Sequence, residues 1–294
     1  MPHTMSSPVQ IVAIGGKVYV GGGFNRGKGQ VVMVYSLSTE SWSTLSPYES
    51  QWFGMAAVNN QLVLVGGRSL SADATTNVLG VWDEGSQVWT HPLPEMPTSR
   101  NSPSVISYRN WLTVAGGSDE TNSYTKKVEL LDTASGQWYE GPPLPNECSG
   151  MSSTLNGNMW YLSRGYHSPS VASKQVFSVC LDELISKVIP QSADPKISQS
   201  TVPSPWKILP DTPNMHSTVI IFSGCLLAIG EWVSSDVHTY QPSSKKWVKF
   251  GDLPANRSRC ACAVLPNEEI FVAGGISSGF ETDQVIVAAI SYLR

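Results

Sequence analysis

Five histidines (His3, His91, His167, His216 and His238) and five cysteines (Cys148, Cys180, Cys225, Cys260 and Cys262) are the residues that could ligate a metal or act as nucleophile and base. Metal chemistry needs three or four of them converging, and local sites announce themselves by i, i+2 or i, i+4 pairs. The histidines are scattered singly, and no Ser/His/Asp or Cys/His set declares itself. Cys260 and Cys262 alternate with Ala261 in "CACAVL", which in a strand puts both side chains on one face. They read as small core residues, and an odd cysteine count is a poor disulfide framework. "VWDEGSQVW" looks superficially like the Asp-box of sialidases but lacks its leading Ser, and the "NRS" triplet at Asn256 is a type that arises by chance. No cofactor or metal is expected, and the chain reads as non-enzymatic.

Arginines and aromatics in short polar stretches are the other chemically able group, and their meaning depends on the elements that carry them. Charged residues make up 14% of the 294, with 25 glycines, 20 prolines and ten tryptophans, a composition suited to an all-β protein with many turns. A net charge of −4 gives no basic footprint for nucleic acid and no polybasic membrane anchor. The N-terminus "MPHTMSSPVQIV" has neither a basic nor a long apolar segment, and a cytoplasmic protein is expected.

The phrase "NNQLVLVGGR" returns as "RNWLTVAGGS" and "NEEIFVAGGI". Aligned, these second strands end at Gly21-Gly22, Gly66-Gly67, Gly116-Gly117, Ser163-Arg164, Gly230-Glu231 and Gly274-Gly275, with spacings of 45, 50, 47, 67 and 44. A second ruler agrees: Tyr35 leads to Trp42, Trp82 to Trp89, Leu131 to Trp138 and Tyr240 to Trp247, each seven residues on. A period near 50 with four strands per unit, a glycine pair closing the second and a Trp in the fourth, resembles the Kelch repeat from Val9 to about Leu293. The resemblance implies an all-β, six-bladed β-propeller of four-stranded antiparallel blades, with blades near 8–46, 52–94, 102–145, 150–210, 216–254 and 259–293. It also implies glycines placed where backbones approach closely and tryptophans buried between blades.

Two departures stand out. The step from Leu181 to Trp206 is 25 residues where seven is normal, so an eighteen-residue insertion within 182–204 is expected as a polar surface loop with a helical turn at "LDELIS". The sixth unit stops after its third strand, so that blade either lacks its outer strand or is completed by residues outside this chain.

Strand parity puts second-to-third and fourth-to-first connections on one face, and the insertion on the other. Kelch proteins that resemble this one bind partner peptides on the first of these faces, around the channel mouth. The expected partner-binding residues are Asn25, Arg26, Arg68, Arg164, Tyr166, Trp232 and Phe280 from one loop class, with Asp119 nearby. Trp52, Phe53, Arg100, Asn101, His216, Arg257 and Arg259 come from the other, beside Gln51. Arginines among aromatics at a concave mouth suit an acidic or polar peptide. The resemblance implies a monomeric protein-interaction propeller, in one reading the substrate receptor of a cullin-type ubiquitin ligase, although the chain contains no BTB domain. The alternatives are a cytoskeletal or signalling scaffold, and an enzyme or sugar or small-ligand binder using the mouth.

Overall fold

The seven-residue ruler is a cross-strand register. In the computed structural model, Tyr35 lies directly opposite Trp42, Trp82 opposite Trp89, Leu131 opposite Trp138 and Tyr240 opposite Trp247. The structure describes residues 1–2, 9–22, 31–163, 165–168, 171–188, 203–231, 234–277 and 279–289.

Six antiparallel sheets follow one another around a channel. Blade 1 runs Gln10–Ile14, Lys17–Gly21, Met33–Ser36 and Ser41–Thr44 from inner to outer strand, and blade 2 runs Gly54–Val58, Gln61–Ser69, Thr75–Asp83 and Val88–Thr90. Blade 3 comprises Ser104–Tyr108, Trp111–Ala115, Val128–Asp132 and Gln137–Gly141, and blade 4 Ser152–Asn156, Met159–Ser163, Val176–Cys180 and Lys207–Leu209. Blade 5 is Thr218–Phe222, Cys225–Ile229, Asp236–Gln241 and Lys246–Asp252. Blade 6 has three strands among the described residues, Ala261–Val264, Glu269–Ala273 and Val285–Ala289. The Met1 amine donates to the Asp283 carbonyl at the edge of this blade, as the Leu253 N–H does to Ser235 in blade 5.

The core lies between blades. Six apolar clusters alternate with the six sheets, and the one formed by Val18, Val20 and Met33 with Ala261, Phe271 and Ala273 closes the ring from blade 6 to blade 1. Outer-strand tryptophans add a polar link. Trp89, Trp138, Trp206 and Trp247 each donate their indole N–H to a carbonyl leaving the preceding blade, those of Ser46, Pro94, Pro142 and Pro210, at 2.8–3.1 Å.

The glycine pairs receive the linker of the next blade. Gly67 donates its N–H to the Arg100 carbonyl, and a Cβ on Gly66, whose φ is +62°, would stand 2.5 Å from that oxygen. In blade 4 the register puts Ser163 level with Ala115, so Gly165 stands at the second position of the pair, with φ +98° and the Ser149 carbonyl 2.7 Å from where its Cβ would be.

The insertion needs correction. Leu181–Ser186 forms a six-residue helix directly at the end of the third strand of blade 4. Leu181, Leu184 and Ile185 are buried in one cluster with Trp160, Phe177 and Trp206. The first part of the segment is thus blade core and not free loop, because an apolar side chain at each of these positions faces the sheet. Residues 189–202 of the insertion lie outside the described residues. No described helix is long and apolar enough to cross a membrane.

Candidate functional site

The channel mouth is built by the short linkers that carry the chain from one blade's outer strand to the next blade's inner strand. Just before the inner strand, each of the five linkers entering blades 2 to 6 turns through a left-handed residue: Trp52 (φ +56°), Ser102 (+50°), Gly150 (+69°), His216 (+66°) and Arg259 (+56°). Successive members bond to one another, Ser102 N–H to the Trp52 carbonyl at 2.6 Å and Gly150 N–H to that of Ser102 at 3.0 Å. Left-handed backbone is costly for bulky residues, so the ring holds Trp52, His216 and Arg259 in conformations that a free loop would abandon.

Three expected site residues come together here from three blades. The Tyr166 and His216 rings are 5.9 Å apart and tilted, and the Arg259 guanidinium lies 5.8 Å from the Tyr166 ring. All three are half-buried, as is Trp52. Phe280, at the tip of the small hairpin formed by Ile276–Ser277 and Phe280–Glu281, is 77% exposed. Three apolar residues that sequence reasoning missed share this face: Leu70 and Val171 on second-to-third loops and Met215 on the linker before blade 5 are all exposed. Their only signal in the sequence is an apolar side chain in an otherwise polar loop.

Other expected residues lie under the face and not on it. Phe53 is fully buried, edge-on to Tyr48, and Asn101 is buried, its side-chain oxygen accepting from the Ser102 and Ser118 hydroxyls. Arg100 is 0% exposed, donating to the Gly116 and Lys127 carbonyls at 3.1 Å and ion-paired with Glu129, which also accepts from the Thr98 hydroxyl at 2.6 Å. Burial pushes its pKa down while Glu129 holds the charge in place. Arg257 is 1% exposed. These residues point along the linker into the gap between blades, where a docked ligand does not reach them.

Arg68 is partly exposed and spoken for by Asp73 at 2.8 Å, a bond that raises its pKa. Asp119 shapes its own loop, accepting from the Thr121 and Ser123 backbone N–H groups. Asn25, Arg26, Arg164 and Trp232 lie outside the described residues. Of the expected cationic cluster, the described part of the mouth retains Arg259 and the paired Arg68.

Below the mouth the inner strands enclose a narrow channel cavity of about 200 Å³, lined by residues such as Ile11, Ala56, Ser152, Thr218 and Cys262. That is room for a few waters and smaller than an ordinary ligand pocket. Among the described residues no three His, Cys, Asp or Glu side chains group to hold a metal.

Residues 52–275 match the family model described as the KLHDC2/KLHL20/DRC7 Kelch-repeats domain, and residues 5–47 match the Kelch motif. Kelch-like protein 36 of Rattus norvegicus is 24% identical over 277 residues, covering 88% of this chain and 43% of that protein. Kelch-like protein 22 of Rattus norvegicus is 30% identical over 112 residues, 37% of this chain and 18% of its own length. The F-box/kelch-repeat protein At1g80440 of Arabidopsis thaliana is 28% identical over 138 residues, 44% of this chain and 38% of its own. The chain thus spans less than half the length of these relatives. Among solved structures, that titled "Structure of YjhT" superposes with a TM-score of 0.76 at 14% identity, covering 98% of this chain and 96% of its own, a likeness of fold.

Proposed function

The chain belongs to the Kelch-repeat family, and from that premise we propose that it is a non-catalytic protein-interaction propeller that seats a partner peptide on the channel mouth. The observation that carries this reading is the cluster of Tyr166, His216 and Arg259, two of them on strained left-handed backbone, beside exposed apolar residues on the same face. Strain kept in bulky residues at one ring of positions is a reason to look for binding there. The chemistry offered is a half-exposed guanidinium, two rings and apolar anchors. It suits a peptide with an apolar or aromatic side chain next to one carboxylate or carbonyl, and among the described residues it offers fewer free cations than the expected arginine set, since Arg100 and Arg257 are buried and Arg68 is paired. In a longer protein with a BTB or F-box module, such a propeller would be the substrate-recognising part of a cullin-type ubiquitin ligase.

A photo-crosslinking residue in place of Phe280 tests this against the same residue at exposed Val88 on an outer strand. A partner captured from position 280 and not from 88 should then bind R259A or Y166A at least about fivefold more weakly, about 1–3 kcal/mol for a lost charge-assisted or stacking contact. Capture from 88 alone, or unchanged affinity in both variants, would overturn the reading.

A further inference from the structure

Blade 6 is the one blade whose outer place is unfilled among the described residues, and its third strand shows the consequence. Val285–Ala289 pairs with Glu269–Ala273 on its inner side, and no described strand pairs with its outer side. The register sets Val287 opposite Phe271, as it sets Val34 opposite Tyr19, Val81 opposite Val63, Leu130 opposite Thr113, Ser178 opposite Tyr161 and Thr239 opposite Leu227. Beside their outer strands Val34, Val81, Leu130 and Ser178 are at most 4% exposed and Thr239 is half-buried, whereas Val287 is 45% exposed. Val285 is half-buried where its counterparts Leu79, Val128, Val176 and Val237 are 0% exposed.

The surroundings define what fits this place. The edge reads VIVAA, uncharged and without proline. Sheet edges that must stay unpaired are blunted by charge, lysine or proline, and a bare apolar edge is a template for another strand. Across the gap, Trp42 of blade 1 packs 6.2 Å from the Phe271 ring, in one cluster with Val285. Trp89, Trp138, Trp206 and Trp247 each donate to a carbonyl four or five residues beyond the tryptophan of the preceding blade, and the Trp42 indole has no such acceptor among the described residues. The Asp283 carbonyl beside the strand already accepts from the Met1 amine, which leaves a gap the length of one strand.

We propose that this edge is a second docking surface, on the rim of the propeller and separate from the mouth, where a short extended peptide of another protein pairs as the outer strand of blade 6. The repeat states the chemistry of that peptide. It runs antiparallel to Val285–Ala289 with an aromatic residue opposite Ala288, the register position that Trp138 holds opposite Leu131 in blade 3. It has no proline in the paired stretch, and it offers a carbonyl four or five residues after the aromatic for the Trp42 indole to donate to.

The probe is a synthetic peptide with the sequence of residues 135–143, SGQWYEGPP, which carries the outer strand of blade 3. Added to the 294-residue chain, it should slow amide hydrogen exchange at residues 285–289 saturably and at least about tenfold. Prolines at the peptide's Tyr139 and Glu140 places should abolish the effect, since one of two adjacent N–H groups must face the ladder. On the protein, V287K charges a position that is already exposed and should weaken the peptide at least about tenfold. A misfolded V287K leaves the proline peptide to decide. Amides at 285–289 that exchange as slowly without peptide as those of 128–132 would overturn the proposal, since the edge would then be covered by the chain itself or by a second copy. Equal protection by the proline peptide, indifference of a folded V287K, protection confined to other blades, or protection seen only with the peptide joined ahead of Met1 would overturn it too.

Discussion

Replacing Glu129 by Ala should be among the most damaging single changes available in this propeller, and it should leave partner binding alone. Among the described residues Glu129 is the carboxylate paired with the fully buried Arg100, which is otherwise held by the Gly116 and Lys127 carbonyls. Breaking a buried pair from one side strands a charge in low dielectric, a loss of about 3–5 kcal/mol. The Thr98 hydroxyl loses its acceptor at the same time. E129Q keeps the shape and one acceptor oxygen for Arg100 but loses the charge and puts an NH2, which cannot accept, where the Thr98 hydroxyl donates, so it should cost about 1–3 kcal/mol. R100M/E129L removes both charges but orphans two carbonyls, so it should fall between wild type and E129A. Urea unfolding followed by tryptophan fluorescence reads this directly: at a slope of about 3 kcal/mol/M, E129A lowers the midpoint by about 1–1.7 M. An E129A midpoint within about 0.3 M of wild type would refute the argument. So would an R100A variant that stays stable while losing the partner, since that is the outcome for a ligand-facing arginine.

Three further outcomes follow from the same geometry. Gly117 has φ +99° and its Cβ would lie 2.7 Å from the Asn101 carbonyl, whereas Gly136, at φ +74°, has open space around it. G117A should therefore cost about 2–4 kcal/mol and G136A about 1 in denaturant titrations. Trp206→Phe removes the indole bond to Pro142 but keeps most of the apolar face against Trp160, so it should cost about 1–2 kcal/mol in the same assay. Burial pushes the Cys148 thiol and the Tyr48 hydroxyl each up to about 12, from 9.0 and 10.0 respectively. Both are neutral in folded and unfolded chains at lower pH. Above pH 9 the unfolded chain sheds these protons first, so stability should be level to about pH 9 and then fall toward 12, by up to about 1.4 kcal/mol per pH unit for each group. In C148A the fall should begin near pH 10, as urea midpoints across that range will show.

Much of the fold was legible in the sequence because its signals are local. A seven-residue step from Tyr35 to Trp42 records two residues facing each other across one hairpin, and the hairpin closes the same way in every blade that keeps the step. The repeat of second strands and glycines identified the blades for a related reason: each glycine meets a linker that is itself part of the repeat. In blade 4 Gly165 holds the second position of the pair, since Ser163 stands opposite Ser152 as Ala115 does opposite Ser104, and the expected helical turn, Leu181–Ser186, brings Leu184 and Ile185 into the core from within what read as a polar insertion. The mouth was legible only as a face. Arg257 and Arg259 are two residues apart on one linker, yet the first is buried between blades and the second meets the Tyr166 ring. Arg100 and Arg257 share a repeat position, yet one has Glu129 and the other has Ile286. Sequence alone determined which residues face each other across a hairpin and which linkers share a face, because strand parity and short-range spacing are properties of the chain itself. Which arginines reach solvent was decided only by tertiary structure, because a linker side chain turns inward or outward according to its backbone φ and to the charge waiting on a strand some 29 residues away.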